Sequence, residues 1–276
     1  MNLQLSPKMQ IIYSSKPDSV KEYLKKIYEH RSLILTFAKR DLKIKFAQTT
    51  LGITWAILQP LTAVFIFTVF FSLIVHFQTS YPYVLFVMSG VLIWGVFNYV
   101  FSQASSSLYQ SQDLIKKMSF PKIILPLSKV LLALVEFIIT FILILILMLF
   151  FQIEFRWTMF LLPIIILPVL FFSLGIALML SSFALKNRDL FHVIPFLINF
   201  GIWFTPVFYP ISILPSEYKN LIYINPIAVS IQLFRWCFLG DAFNLNSVIG
   251  VIISIIVLII GFYFFKKSED KIIDLL

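Results

Sequence analysis

The sequence predicts an all-α, polytopic membrane protein with six transmembrane helices and further short helices at both membrane faces. Three observations predict it. First, 60% of the 276 residues are apolar, mean hydropathy is +0.94, and only 13% of residues are charged. That is too little charge to solvate a soluble domain of this length. Second, Asp, Glu, Lys and Arg are absent from the 67 residues 46–112, and again from 157–185, 190–216 and 242–265. Each run exceeds the roughly 20 residues that a helix needs to cross about 30 Å of hydrocarbon. Third, the runs lack the alternation of barrel strands, which leaves helices to satisfy the backbone in lipid.

In chain order, residues 17–45 read as one or two helices that do not cross. Val20, Leu24, Ile27 and Tyr28, then Ile34, Phe37 and Ala38, follow a helical period with Lys21, Lys25, Lys26, Lys39 and Lys43 between them. Such a segment suits the headgroup region, either as a plain surface anchor or also as part of a docking surface. Six spans follow, near residues 52–76, 83–105, 123–151, 159–184, 191–209 and 248–265, with a turn at 78–82. The loop 109–126 carries Asp113 to cap or charge the start of a short helix, and Lys116 and Lys117 to suit its end. Pro121 and Pro126 then restrict its junction with the third span. It reads either as a stiff force-receiving helix or as an ordinary loop. Residues 210–246 stay apolar, yet Pro226 and Arg235 break them too awkwardly for a full span. Short helices dipping into the outer leaflet fit best.

Nineteen Lys and Arg fall on the side of the termini and three, Arg156, Lys219 and Arg235, on the other. Positive charge stays inside during insertion, so both termini are expected in the cytoplasm. The net charge of +9 then reflects topology and anionic lipid rather than nucleic acid. Cys237 is the one cysteine and cannot form an intrachain disulfide. The start of the sequence is polar and basic, so the first span is expected to act as the insertion signal. His30, His76 and His192 have no ligand spacing, so no metal site is expected.

Arg40–Leu61, Asp113–Ser128, Lys186–Leu190, Thr205–Pro210 and Asn225–Trp236 read RDLKIKFAQTTLGITWAILQPL, DLIKKMSFPKIILPLS, KNRDL, TPVFYP and NPIAVSIQLFRW. In this order, on this topology, they resemble the ABC-2 type polysaccharide export permeases, most closely those for O-antigen, with capsule and teichoic-acid permeases as cousins. The resemblance covers nearly the whole chain after residue 30. It implies a cytoplasmic segment 1–46 with an amphipathic interface helix, a six-helix domain 47–265 and a cytoplasmic tail 266–276. Within the domain it implies a coupling helix near 109–121 and periplasmic gate helices near 211–240. It further implies a homodimer in the bacterial inner membrane, paired with two nucleotide-binding ATPase subunits and exporting an undecaprenyl-diphosphate-linked polysaccharide. ATP and Mg would sit on those subunits, since this sequence has no GxxxxGK[ST] loop. This chain would then need no cofactor and no catalytic residue of its own. The cargo alternatives are teichoic acid, capsule or a small hydrophobic compound. A membrane-embedded transferase would need convergent His, Asp or Glu, which the sequence does not offer.

Candidate residues follow from the chemistry of a glycan conduit. Sugar rings stack their C–H faces on aromatic rings. The candidates are Trp55, Phe65, Phe67, Phe70 and Phe71 in the first span, Trp94, Phe97 and Tyr99 in the second, and Phe196, Phe200, Trp203, Phe204 and Tyr209 in the fifth. Anchoring at the interface, or facing lipid, competes with that reading. For ATPase coupling the candidates are Asp113, Leu114, Ile115, Lys116, Lys117 and Phe120. For the gate they are Asn225, Pro226, Phe234, Arg235 and Trp236, with Arg235 either meeting the lipid diphosphate or a glycan hydroxyl, or snorkelling to headgroups. Glu136 inside the third span is expected to contact a protein partner or stay protonated. The serines among residues 102–107 are expected to hydrogen-bond between helices.

Overall fold

The computed structural model describes residues 19–47, 52, 54–71, 79–184 and 189–275. The far end of the expected first span with His76, the Lys186–Arg188 loop and residues 1–18 lie outside the described residues. Among the described residues every regular element is helical.

The helix α1 (Val20–Glu29) starts at a reciprocal cap: the Ser19 hydroxyl accepts from the Glu22 amide, and the Glu22 carboxylate accepts from the Ser19 amide. This satisfies two amides that the first turn otherwise leaves unpaired. α2 (Arg31–Ala47) follows directly. Its periodic residues Phe37 and Ala38 are buried, whereas Val20, Leu24 and Tyr28 of α1 remain exposed. The two apolar stripes therefore differ: α2 packs on the body of the protein, and α1 keeps an outward apolar face.

Next come α3 (Thr54–Phe70), α4 (Tyr83–Gln110), α5 (Gln112–Lys117) and α6 (Ile124–Phe150). A 3-10 turn at Trp157–Leu161 and the short α7 (Leu162–Ile165) lead into α8 (Leu167–Ala184). Pro163 and Pro168 punctuate this stretch, where ring and missing N–H interrupt a continuous helix. α9 (Leu190–Gly201), α10 (Ser216–Lys219), α11 (Pro226–Leu239) and α12 (Ser247–Leu275) complete the chain.

Four of these stretches are long and apolar enough to cross a membrane: Tyr83–Gln110, Ile124–Phe150, Trp157–Phe183 and Ser247–Glu269. Among the described residues a fifth is counted where Ser216–Ile224 and Pro226–Leu239, bent by 100°, are taken as one broken span. Among the described residues the expected six spans are not all present as long helices, and the far end of the first lies outside them. The expected fifth span is the clearest departure. α9 has 12 residues, which reach only about 18 Å. Residues 202–208 continue as turns, because Pro206 cannot extend a helix and the residue before a proline is pushed out of the helical region.

α4 is the central element: 72% of its apolar window is buried, against 28% for α6 and 22% for α12. α12 lies along α8, and the two approach through paired glycines. A Cβ on Gly261 would stand 2.2 Å from the Gly175 carbonyl oxygen, and one on Gly175 would stand 2.6 Å from that of Val257. Small residues allow such backbone contact between membrane helices.

Candidate functional site

The aromatic candidates fall into three groups. Trp94 and Phe97 are buried on one face of α4, their ring centroids 5.0 Å apart. With Phe101, Phe172, Phe204 and Asn225 they line an apolar cleft of about 480 Å³. Tyr99 lies elsewhere, facing a polar cleft, with the Lys45 ammonium 4.6 Å from its ring centre.

The second group is a ladder between α3 and the turns after α9. Phe67 stacks on Phe208 with centroids 3.6 Å apart, Phe71 lies 6.4 Å from Phe208, and Trp203 closes onto both Phe67 and Phe208. The third group is exposed: Trp55, Phe65 and Phe70 on α3, and Phe196, Phe200, Trp203 and Phe204 on α9 and after it, with Phe204 at the rim of the apolar cleft. Trp203 belongs to both, its edge in the ladder and its remainder outside. Tyr209 is half-buried. The interior around α4 is packed side chain, and the described residues enclose no continuous aromatic tube. Exposed aromatics occur on α3 and on α9 and the turns after it, and also at Phe150, Trp157 and Phe160 near the α6–α7 connection.

At the opposite end, α4 stops at Gln110 and α5 turns away within one residue, Ser111. α5 is two-sided. Ile115 and Phe120 are buried, while Asp113, Lys116, Lys117, Met118 and Ser119 are exposed and Leu114 is half-buried. Phe120 packs on Phe37 of α2 at 5.6 Å. Asp113 sits in the first turn and the two lysines in the last, the arrangement that favours the helix dipole. No side chain caps the helix, so Asp113 acts by charge and not as a cap.

α2, α4, α5 and α6 bound a polar cleft of about 640 Å³ lined by Arg40, Asp41, Lys45, Tyr99, Asp113 and Lys129 among others. Two ion-pair clusters pin α2 to α6 here. The Asp41 carboxylate accepts from Lys129 Nζ at 2.7 Å, both side chains nearly buried, and from Arg40 Nε at 2.8 Å. The Glu136 carboxylate accepts from Lys45, which gives it the protein partner that a carboxylate within a span requires. In sequence, Lys129 stands out only as inside charge and Asp41 only as part of the Arg40–Leu61 motif. A lysine and an aspartate flanking spans, each hard to bury alone, were the available signal.

The outer region is organised by α11, which enters the protein instead of lying on it. The Asn225 side chain accepts from the amides of Ile227 and Ala228 at 3.0 and 3.4 Å, and its amide nitrogen donates to Thr205 Oγ1 at 3.1 Å. With Pro226 in the first turn, that is a strong helix start. The helix ends at Gly240, φ 86°, a left-handed position that glycine adopts without steric cost.

Arg235 is completely buried, so it meets neither headgroups nor an open path, contrary to both sequence readings. Its guanidinium donates to Ser89 Oγ (3.0 Å), Phe86 O (3.0 Å), Pro206 O (2.9 Å) and Val207 O (3.1 Å). Its carbon lies 3.5 Å from the Phe86 ring centre. It ties α11 to α4 and to the turns after α9, whose carbonyls lack helical partners. Phe234 is also buried, stacked on Phe238 at 4.5 Å, and Trp236 packs on Phe243 at 5.2 Å. The serines of α4 differ from expectation too. Ser106 and Ser107 donate to Ser102 O and Ala104 O of their own helix, at 2.9 and 2.8 Å.

A multi-pass helical membrane protein with a short two-sided helix at one end and a bent helix pair at the other is the class that these features define. Residues 32–239 match the family described as ABC-2 type transporter, and the chain belongs to that family. It is 26% identical over 255 residues to "O-antigen export system permease protein RfbA" of Myxococcus xanthus, covering 90% of this chain and 96% of that one. A relative of the same name from Klebsiella pneumoniae is 27% identical over 252 residues, covering 88% and 95%. "Polysialic acid transport protein KpsM" of Escherichia coli is 21% identical over 242 residues, covering 85% and 92%.

Proposed function

We propose that this chain is the permease subunit of an ATP-driven exporter that moves a lipid-linked polysaccharide of the O-antigen kind, carried on undecaprenyl diphosphate, across the inner membrane. The observation that carries the reading is the set of exposed aromatics on α3 and α9, in a chain whose relatives are named for O-antigen export and polysialic acid transport. Two copies joined along these helices would enclose an aromatic-walled conduit that the described residues of one copy do not. Glycan rings slide along such a wall by C–H contact, with no charged group to hold them. The exposed side of α5, with Asp113, Lys116 and Lys117, is the proposed seat for each of two nucleotide-binding subunits, and α1 with α2 extends that seat. Both termini lie in the cytoplasm in this reading, consistent with the inside excess of lysine and arginine. A capsular glycan is the second reading, favoured by the similarity to the polysialic acid transport protein.

The test is co-purification with a candidate ATPase, followed by export of radiolabelled lipid-linked glycan into inverted vesicles. Joint replacement of Phe196, Phe200 and Phe204 by Ala should stop export while the permease still binds the ATPase. Undiminished export by that triple variant refutes the aromatic wall, and failure to recover any ATPase with the wild-type chain refutes the transporter reading.

A further inference from the structure

The segment leaving α5 is held from two sides by one carboxylate. Glu269, near the cytoplasmic end of α12, accepts from the Lys122 backbone amide with one oxygen and from the Tyr23 hydroxyl of α1 with the other. These residues lie 147 and 246 positions away in sequence. Tyr23 is buried and packs edge-on against Phe262 of α12 at 5.8 Å. Lys122 is buried too, and its ammonium donates back to Phe120 O at 2.9 Å. Burial holds the Lys122 pKa below that of an ordinary lysine, and the Glu269 charge pulls it back up. Phe120, Lys122, Tyr23 and Glu269 thus form one knot joining the α5 exit, α1 and α12.

α12 leads from that knot to the far side of the molecule. Its contact with α8 is backbone on backbone at Gly175 and Gly261, so the pair shifts together or not at all, since close-packed interiors transmit displacement. At its other end α12 meets the re-entrant segment. A Cβ on Gly250 would stand 2.5 Å from Val229 Cγ2 and 3.0 Å from Tyr223 O. One helix therefore touches the coupling segment at its cytoplasmic end and the outer closure at its start.

We infer that Glu269 is a positioning residue for energy coupling, which clamps the α5 exit to α12 so that α12 carries α5 displacement to the bent pair at Asn225. The inference rests on the reading that α5 receives force from a separate ATPase. Removing the carboxylate should leave docking intact and disconnect it from the exit. Hydrogen bonds to a charged acceptor bias a two-state element by about tenfold or more, and the change in export should be of that order.

The experiment uses the full permease–ATPase complex in proteoliposomes, reading ATP hydrolysis and labelled-glycan export side by side. Glu269→Ala should keep ATP hydrolysis within about twofold while glycan exported per ATP falls about tenfold. Glu269→Gln retains an acceptor for the Lys122 amide and should fall less. Tyr23→Phe removes one hydroxyl from the knot, leaves the fold least disturbed, and should lower the same ratio by a few-fold. Lys267→Ala, an exposed neighbour on α12, should leave the ratio unchanged. If hydrolysis and export fall in parallel in Tyr23→Phe and Glu269→Gln, or the ratio does not move, the clamp is only structural and the inference is overturned. In both cases the exporter reading survives, because it is judged on the wild-type complex. A wild-type chain that recruits no ATPase overturns both.

Discussion

Lys129 and Arg235 are both buried cations set against opposite ends of α4, and their surroundings have little in common. Lys129 shares its cleft with Tyr99, Gln103 and Gln110 of α4 and faces a full negative charge, Asp41. Arg235 reaches α4 at Phe86 and Ser89, and its bonded partners are carbonyl and hydroxyl oxygens. The chemistry of the two cations explains the difference. An ammonium is a compact point charge that a single carboxylate neutralises, whereas a guanidinium presents a planar fork of five donors that several dipoles can occupy together. The end at α5 is held by charge pairs beside a polar cleft. The end at α11 is held by a buried fork bonded to dipoles, with Asp241 acting on it from a distance. Ties at the α5 end can therefore be exchanged for water or for a partner's charges, and the one at the α11 end can be released only by breaking the fold around it.

The largest effect is expected from Arg235→Met. Three backbone carbonyls would lose their buried donor at about 1–3 kcal/mol each, so roughly 4 kcal/mol or more is at stake. Arg235→Lys should recover only a small part, because a point charge cannot span Ser89, Phe86 and the turn at 206–207. Thermal unfolding of the protein in nanodiscs, with protease sensitivity of residues 202–210 as a local reading, measures both. A Lys variant as stable as wild type would show that charge and not the fork holds the outer end, and the contrast between the ends would collapse.

Asp41→Ala comes next. Breaking a buried pair costs about 3–5 kcal/mol when the remaining charge is trapped, and about half of that here, because Lys129 borders the cleft and can reach water. The double change Asp41→Ala with Lys129→Met should recover most of the loss, since it removes the stranded charge together with its partner. The corresponding rescue does not exist for Arg235, which has no single partner to remove. A double variant no better than Asp41→Ala would mean that the pair matters for shape and not for charge balance.

The inner end and the outer end also differed in how far the sequence disclosed them. Long charge-free runs revealed the spans of α4, α8 and α12, and high hydropathy despite Lys129 and Glu136 revealed that of α6, because hydrocarbon thickness fixes both their length and their composition. The positions of Asp113, Lys116 and Lys117 around a short helix were equally legible, since dipole and capping preferences are local. What remained hidden depended on contacts distant in the chain. Pro206 limits α9 locally, but the carbonyls of Pro206, Val207 and Phe208 then find their partners in Arg235 and Tyr83, and nothing between residues 190 and 210 announces those donors. Arg235 read as an exposed gate residue for the same reason: an arginine in an apolar run looks unpaired until its acceptors are assembled from two other segments. The aromatic candidates read as one set, and the fold divides them, with Trp94 and Phe97 buried and Phe196, Phe200 and Phe204 exposed.

The smallest effect distinguishes the two kinds of tie most cleanly. Lys45 and Glu136 form a pair whose side chains remain 39% and 29% exposed. Lys45 lines the polar cleft, and a pair that water reaches from there contributes at most about 1 kcal/mol. Lys45→Met should therefore lower stability by roughly 0.5–1 kcal/mol in 0.1 M salt. In 1 M salt the screening length falls from about 10 Å to about 3 Å, and the difference from wild type should fade. The deficit of Arg235→Met should stay the same over that range, since neutral acceptors buried without solvent are not screened. Parallel salt titrations of the two variants thus test the same distinction at the lower limit of measurable effect. If both deficits shrank together, the outer fork would be reached by solvent and ions after all, and the outer end would be no more sealed than the inner one.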